Sequence, residues 1–253
     1  MREYSSKITL TENGRGIWTI DPIMGCKSGI EKDKKGCYGD CYAVRSARIY
    51  GYDFSQNVLR DFESDKHLEQ IKRKINRLKF PFIRMGNSGD PSENWEHTIN
   101  ILEKLKGINK EIVIITKHWF KLSQSQLDRL KPLNVCINTS ISAIDERLKS
   151  NLEQYETLKK YCNSVLRCVS FDFNLDNENG LKYAKIQNEL FASYEMLDTI
   201  FRCSKSNQLC KDGIINIKEV KFLGKKCFVS RYNQKTYFGK CQGCIDKCSS
   251  IKA

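Results

Sequence analysis

With 253 residues and 40% hydrophobic composition, the chain is long enough for one large α/β domain, or for one barrel-like domain with a small appendage. No apolar run reaches the ~18 residues of a membrane span, and MREYSSKITL has no apolar centre of a secretion signal, so a cytoplasmic protein with no membrane role is expected. The formal charge of +13 is spread through KDKK, KRKINRLK, KLKGINK, LKK and KEVKFLGKK; it suits an anionic partner such as nucleic acid or a phosphorylated metabolite, and equally describes a lysine-rich solvated surface with no dedicated binding arm.

In chain order, residues 65–79 predict a helix on the period of Leu68, Ile71, Ile75 and Leu78. Residues 80–85 predict a buried strand and 86–92 a loop. Ser92 reads as the N-cap of a helix running to Lys106, with Glu93 and Glu96 in its first turns. A strand at 111–116, a short helix at 123–131, a strand at 133–138, a helix at 144–161, a strand at 164–170, a helix at 180–194 and a strand at 196–202 follow.

Strands alternating with helices pair in parallel through right-handed crossovers. Five or six such units predict an α/β fold, a partial (βα)6 TIM-like barrel over residues 1–202, because a full eight-fold barrel needs more chain. In such barrels the chemistry sits at the strand C-termini, and here those ends read GNSGD, TKHW, NTSIS and SFDFN. From residue 203 the character changes. Six of the twelve cysteines fall in the last 51 residues, among short β-like runs (IINIKEV, KCFVSRY, KTYF). Residues 203–253 therefore read as a small Cys-rich appendage organised by metal.

In a reducing compartment, grouped cysteines point to metal or catalysis rather than to disulfides. Cys26 and Cys37 are separated by ten residues, and Cys37 and Cys41 by three. Three closely grouped thiolates suit an iron–sulfur cubane, and glycines at 25, 36 and 39 allow close wrapping of the backbone. Three protein ligands leave one iron open, which a catalytic centre needs. A zinc site with its fourth ligand from elsewhere remains the structural alternative.

The segment Trp18-Thr19-Ile20-Asp21-Pro22-Ile23-Met24-Gly25-Cys26, then Gly36-Cys37, then Cys41-Tyr42-Ala43 resembles radical SAM proteins, in particular a phage- and bacteria-associated branch without an assigned activity. Further pieces in the same order resemble that superfamily's strand ends: Ile83 to Asp90, Ile114 to Lys117, Asn138 to Ser142, and Val169 to Asp172. The gaps of ten and three depart from the usual Cys-x-x-x-Cys-x-x-Cys, and Asp172 stands in place of a Glu. The resemblance implies a [4Fe-4S] cluster on Cys26, Cys37 and Cys41. It also implies reductive cleavage of S-adenosylmethionine (SAM), to a 5′-deoxyadenosyl or an aminocarboxypropyl radical, in an oxidoreductase or transferase. Gly86, Asn87, Ser88, Gly89 and Asp90 would hold the methionine portion. Asn138, Ser140 and Ser170 would hydrogen-bond SAM, and Lys117 would meet its carboxylate or a substrate phosphate. A reductase, flavodoxin or ferredoxin would deliver the electron. The substrate is a nucleic acid or nucleotide, or a peptide.

Cys227, Cys241, Cys244 and Cys248, with Cys203 and Cys210 upstream, predict a second metal centre. An auxiliary [4Fe-4S] cluster is favoured, and a four-cysteine zinc knuckle has compatible spacing. Cys136, Cys162 and Cys168 read as core thiols. His67, His97 and His118 show no ligand spacing. The contrasting function is a zinc-dependent nucleic-acid-binding protein without SAM chemistry.

Overall fold

The structure, a computed structural model, describes residues 2–244 and Cys248. Its strands are β1 (Thr11–Glu12), β2 (Trp18–Thr19), β3 (Ile23–Met24), β4 (Val58–Leu59), β5 (Phe82–Met85), β6 (Glu111–Thr116), β7 (Val135–Ile141), β8 (Asn163–Ser170), β9 (Asp172–Phe173), β10 (Leu197–Cys203), β11 (Ile215–Asn216), β12 (Lys218–Phe222) and β13 (Lys225–Ser230). The helices are α1 (Lys27–Lys32), α2 (Tyr42–Tyr50), α3 (Asp65–Asn76), α4 (Trp95–Lys104), α5 (Gln124–Leu130), α6 (Leu148–Leu158), α7 (Glu178–Ser193) and α8 (Gln208–Lys211).

This is a mixed α/β fold around a nine-stranded sheet in the order β1-β2-β5-β6-β7-β8-β10-β13-β12. Strands β2, β5, β6, β7, β8 and β10 run parallel. A helix follows each of β5 to β8 in sequence, which is the connection parallel neighbours require.

Alternation along the strands sorts two faces. Ile83, Met85, Ile112, Ile114, Val135 and Ile137 pack against helices α3 to α6 in the largest core cluster. Ile141, Leu166 and Cys168 continue that face against α6 and α7. Phe82, Val113, Cys136, Val165 and Leu197 point the other way, where they meet Ile17, Cys241 and Cys248. One face is therefore buried by helices, and the other is covered in part by the C-terminal segment.

Strand and helix expectations agree closely with these elements. The helix expected from a Ser92 cap differs. Asp90 accepts from the Ser92 amide to start a 3-10 turn over Pro91–Asn94, and Asn94 then caps α4 through the His97 amide. Pro91 at the first turn position favours this early, separate start. The Ser123 cap of α5 forms with a full capping box to Gln126. The region after residue 203, expected as a metal-organised appendage, continues the main sheet. β13 pairs antiparallel with β10 and β12 with β13, because Phe228 and Val229 have apolar neighbours to join. The 202/203 boundary falls at the last residue of β10.

Candidate functional site

A cavity of about 630 Å³ opens over the face of the sheet away from the helices. Its wall includes Gly86 just after β5, Thr116 and Lys117 at the end of β6, Ser140 on β7, Val169 on β8 and Ile200 on β10. The C-terminal ends of five parallel strands thus share one cavity, the position where loops from such strands converge on a ligand.

Cys26, Cys37 and Cys41 all border this cavity, each at the start of a helical turn. Cys26 precedes α1 with the Gly29 amide directed at its sulfur; Cys37 begins a 3-10 turn; Cys41 precedes α2 with the Ala43 and Val44 amides directed at its sulfur. Glycines bring these turns together. Gly25 has φ +87°, and a Cβ there would lie 2.0 Å from the Gln56 carbonyl oxygen. Gly36 has φ +77°, and a Cβ would lie 2.5 Å from the Cys41 Cβ.

Burial pushes the Cys26 thiol far up, reinforced by Asp90, Cys37 and Glu93. Burial also lifts Cys37 to about 12, against the opposing pull of Lys117, while Cys41 raises it further. Among the described residues, no three His, Cys, Asp or Glu side chains stand close enough to hold a metal ion by themselves. What the three thiols share is one wall. As thiolates they would repel one another, and a bound cation would remove that repulsion. Soft sulfur donors are the ligand type that an iron–sulfur cluster takes.

The expected SAM-contacting segment lies beside these thiols. Gly25 and Gly89 form a parallel bridge, and the Gly25 amide donates to the Ser88 carbonyl at 3.0 Å. A Cβ at Gly89 would lie 2.4 Å from the Ile23 carbonyl oxygen. The Tyr42 hydroxyl donates to the Asn87 carbonyl.

Of the nine positions expected to contact SAM, Gly86, Asn87, Gly89, Asp90, Lys117 and Ser140 line the cavity, while Ser88, Asn138 and Ser170 do not. The amides of Gly86, Asn87 and Ser88 converge on Asp21, at 3.0, 2.8 and 3.1 Å. Burial raises the Asp21 carboxyl even so, against those amides and Arg60. Asp90 is committed to the Thr116 hydroxyl, the Lys117 amide and Ser92. Asn138 donates to the Cys248 carbonyl at 3.0 Å, and the Ser170 hydroxyl accepts from the Tyr232 amide at 3.3 Å. Lys117 Nζ pairs with Asp145 at 2.9 Å and contacts the Tyr38 hydroxyl, which itself donates to Asp145 at 3.0 Å. Lys117 therefore anchors the loop between Cys37 and Cys41 instead of reaching into the cavity as a free charge.

The C-terminal thiols divide. Cys241, Cys244 and Cys248 border the same cavity as the N-terminal three. Cys227 lies on β13 opposite Val220 of β12, away from that cavity, and Cys203 lies beside Cys210. Cys248 Sγ accepts from Arg84 at 2.8 Å and from Arg167 at 3.6 Å. Burial opposes its ionisation, but the two guanidiniums together bring its thiol below the usual range. Cys136 and Cys168 are buried core thiols and Cys162 is half-buried. His67 sits at the surface, His97 bonds the Arg60 carbonyl, and His118 is buried against Thr139.

Several site residues escaped the motif reading. Glu93 accepts from the Ser28 amide and the Asn57 side chain beside Cys26. Arg84, Arg167 and Arg202 line the cavity from β5, β8 and β10. Their signal in the sequence is an arginine set among apolar neighbours: FIRM, VLRCV and IFRC.

No protein family matches the sequence in a scan against family profiles, and no curated protein matches it.

Proposed function

We propose that the chain is a radical SAM enzyme whose cluster is carried by Cys26, Cys37 and Cys41. The observation carrying this reading is that these three thiols share one cavity with Gly86, Asn87, Gly89 and Ser140 at the ends of parallel strands. The parallel run β2-β5-β6-β7-β8-β10 is read as a partial (βα)6 barrel, with its concave side facing the cavity.

When bound, a [4Fe-4S] cluster would supply the electron that breaks a carbon–sulfur bond of SAM, after its own reduction by a flavodoxin, ferredoxin or reductase. The chain's residues would orient the reactants and exclude water. Gly86 and Gly89, lacking side chains, let the loop pass close to the Ile115 and Ile23 carbonyls, which fixes it beside the cysteine segment, where it would meet the methionine portion. Asp21 holds the Gly86–Ser88 turn in shape from behind. Ser140 offers a hydroxyl at the cavity wall. Tyr38, Lys117 and Asp145 hold the loop between Cys37 and Cys41 in register, a positioning role. Cys241, Cys244 and Cys248 would supply ligands for an auxiliary cluster on the same cavity, or for zinc.

The test is anaerobic purification with iron–sulfide reconstitution, SAM and a low-potential reductant, with products identified by mass spectrometry. 5′-Deoxyadenosine or methylthioadenosine is expected from the wild type, and its loss is expected in Cys37→Ala together with reduced iron content. A protein that takes up only zinc and leaves SAM intact would sink the proposal and favour the zinc-dependent nucleic-acid-binding reading.

A further inference from the structure

Arginine stays charged in proteins, and a charge taken out of water needs a partner. Arg84 retains only 7% of its exposure, and its Nε has no hydrogen-bond partner. Arg167 and Arg202 are half-buried. These three arginines and Arg15 border the one cavity, and among the described residues none forms a salt bridge with a carboxylate. Arg84 and Arg167 share Cys248 Sγ, but one sulfur does not exhaust two guanidiniums of five donors each. Arg15 Nε donates to the Gly239 carbonyl at 3.0 Å.

None of the described carboxylates on the cavity wall pairs with these four arginines. Asp40 holds Arg45, Ser204 and Asn207; Asp90 holds Thr116, Ser92 and the Lys117 amide; Asp198 accepts from Thr236 through Oδ2, and its buried Oδ1 has no partner among the described residues. Lys117 is paired with Asp145. Among the described residues, the wall thus presents four guanidiniums that pair with no carboxylate, the group that matches phosphate oxygens in a bidentate fork. Next to it lies an aromatic surface: Phe222 stacks on Phe238 with centroids 4.3 Å apart, and the Arg202 guanidinium lies 5.2 Å from the Phe222 ring. Flat apolar surface beside clustered guanidiniums suits a base linked to phosphates. A volume of about 630 Å³ lies in the range of small-molecule sites, ~300–1,000 Å³.

We infer that Arg15, Arg84, Arg167 and Arg202 form a phosphate-binding wall, and that the substrate of this cavity is a small phosphate-bearing molecule of nucleotide type. This assignment rests on the proposed function for what happens to the substrate, but the binding site stands on its own geometry.

Calorimetric titration of ATP, CTP, adenosine and pyrophosphate into the anaerobically purified full chain tests it, without requiring SAM turnover. A nucleoside triphosphate is expected to bind at least about tenfold more tightly than adenosine, since charge-assisted hydrogen bonds contribute ~1.5–3 kcal/mol and tenfold is ~1.4 kcal/mol. Arg202→Gln and Arg167→Gln, at half-buried positions, are expected to weaken that binding about tenfold each, with the circular dichroism spectrum unchanged. Arg84→Lys keeps the charge at the buried position and should retain part of the affinity. Equal affinity for adenosine and ATP, or triphosphate affinity unmoved by Arg202→Gln and Arg167→Gln, would overturn the inference. So would a short single-stranded oligonucleotide that binds where no mononucleotide does. SAM cleavage by the same preparation, scored separately, tells failure of the phosphate wall from failure of the proposed enzyme class.

Discussion

Replacing Lys117 by Met removes the cation that holds Asp145 and Tyr38 together. Lys117 and Asp145 each keep 11% of their side-chain exposure and stand 2.9 Å apart. The ammonium also lies 4.4 Å from the Tyr38 ring centroid. Removing one member of a buried pair costs ~3–5 kcal/mol, because the remaining charge is left without compensation. The small residual exposure places the expected loss at the lower end, about 3 kcal/mol. At ~2–4 °C per kcal/mol for a chain of this size, the melting temperature should fall by about 6–12 °C. The informative experiment is a double-mutant cycle by urea unfolding, with Lys117→Met, Asp145→Asn and the double variant. Asp145→Asn removes the orphaned charge, so the double variant should be more stable than the sum of the singles implies, by ~0.5–3 kcal/mol. Because Tyr38 lies between Cys37 and Cys41, Lys117→Met should also lower iron retention, and Tyr38→Phe should do so more mildly. Additive single effects, or a Lys117→Met variant less than about 1 kcal/mol below wild type, would refute the view that this trio holds the cysteine loop.

Two further outcomes follow from the geometry. Gly89→Ala places a methyl 2.4 Å from the Ile23 carbonyl oxygen and 2.6 Å from that of Gly25; the backbone must shift, at ~1–3 kcal/mol as for other overpacked sites, and thermal unfolding at unchanged melting temperature would exclude the close approach. His118 is fully buried, and burial, then Arg147, lowers its pKa to about 3 from 6.5. The unfolded chain therefore takes up a proton below pH 6.5 that the folded chain refuses. The stability linked to neutral His118 is full above pH 6.5 and is lost between 6.5 and about 3, by up to ~1.4 kcal/mol per pH unit. His118→Gln should flatten that stretch of a stability-versus-pH curve, and an unchanged slope would show that other groups carry it.

The strands and helices from residue 65 to 203 were legible because their side chains repeat at the periods their elements require. Ile71 and Ile75 mark one face of α3, and the IVIIT run marks β6. The three N-terminal cysteines and the glycines around them were legible for a similar reason: chemistry-bearing residues and turn formers lie close together in the chain. Other features depend on pairings across the fold. Asp21 was visible only as a letter beside Pro22, yet three amides 65 to 67 residues away converge on it. Lys117 looked like a free charge at a strand end until Tyr38 and Asp145 closed on it from two other segments. Cys227 was grouped with Cys241, Cys244 and Cys248 by spacing, but strand pairing sets it opposite Val220 on β12, off the wall that those three border. Arg84, Arg167 and Arg202 are single departures from apolar strands; only the parallel alignment of β5, β8 and β10 around one cavity turns them into a charged wall. Local periodicity is determined by the sequence itself, whereas the partner of a buried charge is decided by which distant segments the tertiary fold brings within hydrogen-bonding distance.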